Sequence, residues 1–168
     1  MAGENGKQAT AELKEFAGKY LTMILGDEHY GINITKVREI INLQDITRVP
    51  ETRPELKGVI NLRGQVIAVI DLRIKFGMEE REYDDDTCIV IVESGKLVTG
   101  LVVDRVDEVA DLENTDLEPA PRFHTQVDTQ FISAMGKAKN KIIILLDTDY
   151  ILESTKCRSN ILSEESSF

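Results

Sequence analysis

Apolar positions along this chain fall in short, β-branched runs separated by polar turns, not in long helical stripes. Tyr20 to Leu25 predicts a first strand, Gly26-Asp27-Glu28 a turn and His29 to Ile34 a second strand, which together make a hairpin. Val37, Ile40 and Ile41 stand at i, i+3 and i+4, so the spacing predicts a short helix over Lys36 to Asn42, capped by Asn33 or Thr35. Ile46 to Val49 reads as a short strand stopped by Pro50. The segment from Pro50 to Pro54 is a loop, because proline disfavours helix at the residue before it and has no N–H for a ladder. Next, the runs Val59-Ile60 and Val66 to Ile70 flank Arg63-Gly64, a hairpin in which Gly64 supplies the positive φ of a tight turn. Asp71 to Phe76 predicts one helical turn closed by Gly77.

The second half repeats this style. Glu79 to Asp86 is acidic and without periodicity, an expected exposed connector and subdomain boundary. Cys88 to Val92 and Leu97 to Val103 predict strands joined by Glu93-Ser94-Gly95-Lys96. Val103, Val106 and Val109 recur every third residue, which suits a bent strand or an irregular edge. Pro119-Ala120-Pro121 marks a loop, and Phe131 to Met135 with Lys141 to Leu146 predicts a last hairpin around Gly136 to Asn140. Asp147 to Thr155 reads as a C-terminal helix with acids in its first turn, where they suit the helix dipole. Residues 1–15 form a polar leader with a short helix near Ala11 to Phe16, and 156–168 a polar tail. Some ten short strands with a few single-turn helices make a mainly β chain, a sandwich or barrels. At 168 residues, two small barrels side by side fit, with the acidic connector between them.

Composition narrows the function. An apolar share of 42% with 30% charged residues suits a soluble globular protein. A net charge of -10 with no compensating Lys/Arg run argues against nucleic acid and anionic membrane surfaces as partners. Met1 to Thr10 lacks an apolar signal core, and no run approaches the roughly 20 apolar residues of a membrane span, so a cytoplasmic location without membrane insertion is expected. Cys88 and Cys157 form no C-x-x-C pair, and Cys88 opens an apolar run as a small hydrophobe. Asp84-Asp85-Asp86 lacks calcium-loop ligand spacing; a carboxylate metal site there stays the alternative to a solvated connector.

Enzyme signatures are missing: no G-x-G-x-x-G after a strand, no P-loop, no G-x-S-x-G elbow, and His29 and His124 lie far apart. With no catalytic residue, cofactor or metal assigned, a binding module fits best. Val37 with Ile41, and Val106 with Val109, are either core or the floor of an apolar groove. If they face outward, Arg63, Lys57 and Glu39 rim that groove, which suits an amphipathic helix. Spacing leaves Arg63 open between a solvated turn residue and a partner contact.

An ordered series of motifs resembles one family. Leu25-Gly26-Asp27-Glu28-His29-Tyr30-Gly31-Ile32-Asn33-Ile34, then Lys36-Val37-Arg38-Glu39-Ile40, looks like the opening of the bacterial CheW-like coupling family. Thr47-Arg48-Val49-Pro50, Lys57-Gly58-Val59-Ile60-Asn61-Leu62-Arg63-Gly64 and Val69-Ile70-Asp71-Leu72 match in order. So do Gly100 to Val106 and Pro119-Ala120-Pro121, and the likeness runs from about Phe16 to Ser154. Ala68 departs from it, standing where the family often has proline. The resemblance implies two intertwined SH3-like five-stranded β-barrel subdomains with short helices and a C-terminal helix. The subdomains are expected near 16–83 and 84–155, with strand exchange between them. It also implies a non-catalytic chemotaxis adaptor linking the cytoplasmic tip of methyl-accepting chemoreceptors to the regulatory domain of the histidine kinase CheA, recruited from the cytoplasm to membrane-associated arrays. Receptor-side residues implied by position are Val37, Glu39, Lys57, Gly58, Arg63, Val106 and Val109. The kinase side is left at Ile34 and Leu43. An adaptor of a non-flagellar chemosensory pathway and a small β-barrel metal-binding protein or enzyme are the alternatives.

Overall fold

A computed structural model describes residues 13–50, 53–120 and 129–154. Among the described residues the β-branched runs form eleven strands in two sheets. In chain order they are β1 (Gly18–Leu25), β2 (Glu28–Asn33), β3 (Val37–Asn42), β4 (Leu56–Leu62), β5 (Gln65–Asp71) and β6 (Cys88–Ser94). Then come β7 (Leu97–Val103), β8 (Arg105–Leu112), β9 (Leu117–Pro119), β10 (Ile132–Ala138) and β11 (Lys141–Leu146). One sheet has six strands in the order β8-β1-β2-β11-β10-β9, the other five in the order β3-β6-β7-β5-β4. Each curls over its own apolar interior, giving the two SH3-like barrels. The six-stranded barrel carries one more strand than the expected five, the three-residue β9.

Chain halves do not coincide with sheets. β3 to β7 lie together in one, while β1, β2 and β8 to β11 build the other, so both 16–83 and 84–155 contribute to both. The acidic segment Glu79 to Asp86 joins two strands of the same five-stranded sheet. The chain passes between barrels twice, through a 3-10 turn at Ile34–Lys36 and again at Asp104.

Three apolar clusters follow from strand period two. Tyr20, Leu112, Leu117, Ala134, Ile143 and Leu145 fill the six-stranded barrel. Ile60, Leu62, Ile67, Val69, Ile89, Ile91 and Val102 fill the five-stranded one. The third cluster lies between them: Leu21, Met23, Leu25 and Ile32 from one sheet meet Ile70, Val90, Val92, Leu101 and Val103 from the other. This explains why β6 and β7 are apolar at nearly every position. One face serves a barrel interior and the other the shared core.

The helix expected over Lys36 to Asn42 is a strand. Asn33 Oδ1 accepts from the Thr35 N–H at 3.0 Å, and the 3-10 turn it starts is over by Lys36. Val37 then pairs with Val92, Ile40 with Val90 and Ile41 with Ile89, with a register shift between Val37 and Glu39. One bulged residue in a strand of period two puts Val37 and Ile40 on the same face three apart, which imitates a helical spacing. Ile46 to Val49 shrinks to a single bridge, Thr47 to Val59. The last hairpin turns at Lys139-Asn140 (φ 51° and 63°), at the C-terminal end of the expected span Gly136 to Asn140. Gly136 sits inside β10 because a Cβ there would stand 2.6 Å from Leu112 Cδ1. The C-terminal helix runs over 148–154, with Asp147 Oδ1 accepting from the Tyr150 N–H at 3.0 Å as its N-cap. The end of the leader is described, with Leu13 buried in the six-stranded barrel and a 3-10 turn at Lys14–Phe16, while residues 1–12, the tail, Pro121, His124 and Cys157 lie outside the described residues.

Candidate protein-binding site

The two crossings between barrels place the candidate residues. Val37 is the first residue of β3 after one crossing, and Val106 follows Arg105, which opens β8 after the other. Both are half-buried and pack against the cluster the barrels share. Ile34 and Cys88 do the same. Burial pushes the Cys88 thiol up, opposed by the backbone N–H of Val106, which ties the start of β8 to the start of β6. Two exposed apolar side chains extend this surface: Val109 at 50% relative exposure and Ile40 at 46%. Ile40 pairs in register with Val90, and Val109 with Leu21, both shared-core residues, so each lies on the face that carries the seam. Val37, Ile40, Val106 and Val109 thus form an apolar border along the seam. Ile41 instead turns into the five-stranded barrel. The pair Val37 and Ile41 does not share a face.

The expected rim residues belong to the five-stranded barrel. Arg63 is the first residue of a two-residue turn between β4 and β5, with φ 51°, followed by Gly64 at φ 87°. Both residues therefore adopt the left-handed conformation of a type I′ hairpin, held by Asn61 Oδ1 accepting from the Gly64 N–H at 2.8 Å. The guanidinium, 70% exposed, pairs with the Glu39 carboxylate on β3, across the open ends of the sheet. Lys57 pairs with Glu80 and lies 5.7 Å from the centroid of the Tyr83 ring. That partner hydrogen-bonds Glu80 and holds its carboxyl below the usual range.

Gly58 has a different part. It is buried, with φ 146°, and a Cβ on it would stand 2.0 Å from the Thr47 carbonyl oxygen. That close approach permits the paired bonds Thr47 N to Val59 O and Val59 N to Thr47 O, both 2.8 Å. It shapes the strand bearing Lys57, with no side chain to offer.

A second charged cluster, which the pattern of the chain did not single out, fixes the barrels relative to one another. Asp104, at the second crossing, accepts from Arg73 Nε and Nη2, both at 2.7 Å, and from the Gly26 N–H at 2.8 Å. Gly26 belongs to the β1–β2 turn of one barrel and Arg73 to the short helix Leu72–Lys75 of the other. Burial works against the Asp104 carboxylate, but Arg73, Gly26 and Arg81 outweigh it and hold the carboxyl below its usual range. The signal available in sequence was an acid ending the apolar run Leu101-Val102-Val103.

Among the described residues no group of three or more His, Cys, Asp or Glu side chains could hold an ion. Asp84 instead closes its own turn, accepting from the Asp86 N–H at 2.9 Å and the Thr87 N–H at 3.1 Å. No helix among the described residues is long and apolar enough to cross a membrane.

Comparison with known proteins gives a consistent picture. The model of the CheW-like domain family matches residues 19–156. The chain is 38% identical over 136 residues to chemotaxis protein CheW of Klebsiella aerogenes, covering 81% of this chain and 82% of that protein. Chemotaxis protein CheW of Bacillus subtilis is 35% identical over 153 residues, with 90% and 97% covered. Among solved structures, the scaffolding protein TtCheW of Thermoanaerobacter tengcongensis superimposes with a TM-score of 0.73 at 38% identity, covering 78% of this chain and 89% of that one.

Proposed function

The chain belongs to the CheW-like domain family, and from that premise we propose that it is a non-catalytic chemotaxis adaptor joining methyl-accepting chemoreceptors to the histidine kinase CheA. The observation that carries this reading is the apolar border along the seam, Val37, Ile40, Val106 and Val109, with the Arg63–Glu39 pair on the hairpin beside it. A shallow apolar strip with a charged rim takes the apolar face of a helix, as a receptor's cytoplasmic hairpin tip presents. Arg63 can exchange Glu39 for a carboxylate or carbonyl of that helix, since its planar fork makes two parallel bonds.

The mechanism is thermodynamic coupling. An adaptor that holds receptor and kinase together lets ligand-dependent receptor states bias the kinase's active and inactive states, and needs no chemistry of its own. Recruitment to receptor arrays raises effective concentration, so each contact can be weak. Phosphate transfer by CheA reconstituted with receptor membranes tests the reading. Adding this protein should bring kinase activity under the control of receptor ligand; an identical response with and without it would sink the adaptor role.

A further inference from the structure

One described cleft is lined entirely by residues between 48 and 80 and differs in character from the seam. About 630 Å³ of space is lined by Arg48, Arg53 and Lys57, by the carboxylate Glu80, and by an apolar floor that includes Leu56, Ile74 and Met78. Among the described lining residues three cations face one carboxylate, in a chain of net charge -10. Glu80 is engaged by Lys57, Arg53 lies 3.7 Å from Glu55, and Arg48 has no ion pair among the described residues. The volume suits a short peptide segment.

The helix 148–154 ends at the wall of this cleft. Arg53, which lines it, donates to the Ser154 carbonyl at 3.1 Å, and Lys75 donates to Ser154 Oγ at 2.9 Å. Residues 155–168 follow, and they carry Ile161-Leu162 and then Glu164-Glu165. Ile161 lies seven positions after Ser154, a reach of at most roughly 25 Å when extended. We infer that the C-terminal segment docks in this cleft, Ile161 and Leu162 on the apolar floor and Glu164 and Glu165 against Arg48 and Lys57. Exposed ion pairs of this kind are individually weak. A short tether supplies a roughly millimolar effective concentration, enough to populate a weak contact.

The consequence rests on the adaptor reading above, because it concerns Lys57. A docked segment covers Lys57, so a partner that needs this lysine binds only the undocked fraction. Docking half the time would lower its apparent affinity about twofold.

The test uses the full chain, labelled with nitrogen-15, and needs no partner. Amide resonances of Leu56, Lys57, Ile74 and Met78 should shift in both the E164K/E165K and the I161S/L162S variants, and in wild type on raising NaCl from 50 to 500 mM. Arg48→Glu should shift the same set, and combining it with E164K/E165K should restore the wild-type positions. Docking is overturned if the tail substitutions leave these amides in place or move only amides outside the cleft. Shifts that grow with protein concentration would overturn it too, by assigning the occupant to a second copy. If the amides respond but receptor-tip affinity does not rise in E164K/E165K, docking stands and the receptor role of Lys57 falls.

Discussion

Two arginine–carboxylate pairs of the same chemistry sit in opposite surroundings. Arg73 and Asp104 are 13% and 12% exposed, joined by two parallel bonds and a backbone N–H, at the point where the chain passes from one barrel to the other. Arg63, on a hairpin tip, is 70% exposed and meets Glu39 through one nitrogen. Water and salt screen the second pair, so it contributes little to folding and exchanges partners at little cost. The first is largely shielded from water, and removing one member strands the other. Burial, not residue type, separates an architectural pair from one free to meet a partner.

The largest expected effect comes from the buried pair. Asp104→Ala should cost about 3 kcal/mol of unfolding free energy, read by urea denaturation, because it leaves Arg73 uncompensated. A loss under about 0.5 kcal/mol would place the junction with the exposed pairs. Gly58→Ala should cost about 2 kcal/mol, from strain at φ 146° and the clash with Thr47. Weakened receptor binding in that variant should track its unfolded fraction; binding lost by a fully folded Gly58→Ala protein would contradict this.

Acid gives a finer cut. The folded-state pKa of Asp104 is depressed. Its contribution is therefore complete above the ordinary carboxylate value near 4 and is lost as pH falls below that. The stability gap between wild type and Asp104→Asn should shrink between roughly pH 5 and pH 2, and a constant gap would remove Asp104 as its source. At the exposed pair, Arg63→Ala should change unfolding free energy by less than about 0.5 kcal/mol while reducing kinase control by receptor. Smallest in stability, Arg63→Gly relieves the left-handed conformation at φ 51°. It should keep or slightly raise the midpoint of unfolding while losing the same coupling as Arg63→Ala.

Much of the fold was legible in the chain. Both hairpins around Gly26 and Gly95 and the helical turn after Asp71 follow from local pattern and turn chemistry, because each is decided within a few residues. β3 was not legible, since its spacing of three arises from a bulge that only pairing with β6 creates. The site was half legible. Motif order brought out Val37, Glu39, Arg63, Val106 and Val109, yet nothing in the spacing distinguished Gly58 as buried or Ile40 as exposed.

By itself, then, the sequence determined strand positions, turns, the absence of recognisable catalytic motifs and membership of a family, all properties of short stretches and their order. Tertiary structure alone decided which sheet each strand joined. Long-range pairing depends on which apolar faces can be buried together, and β6 and β7 offer two apolar faces each. The same choice settled that Asp104 is largely shielded and Arg63 is not, and with it which arginine holds the barrels and which is left facing outward.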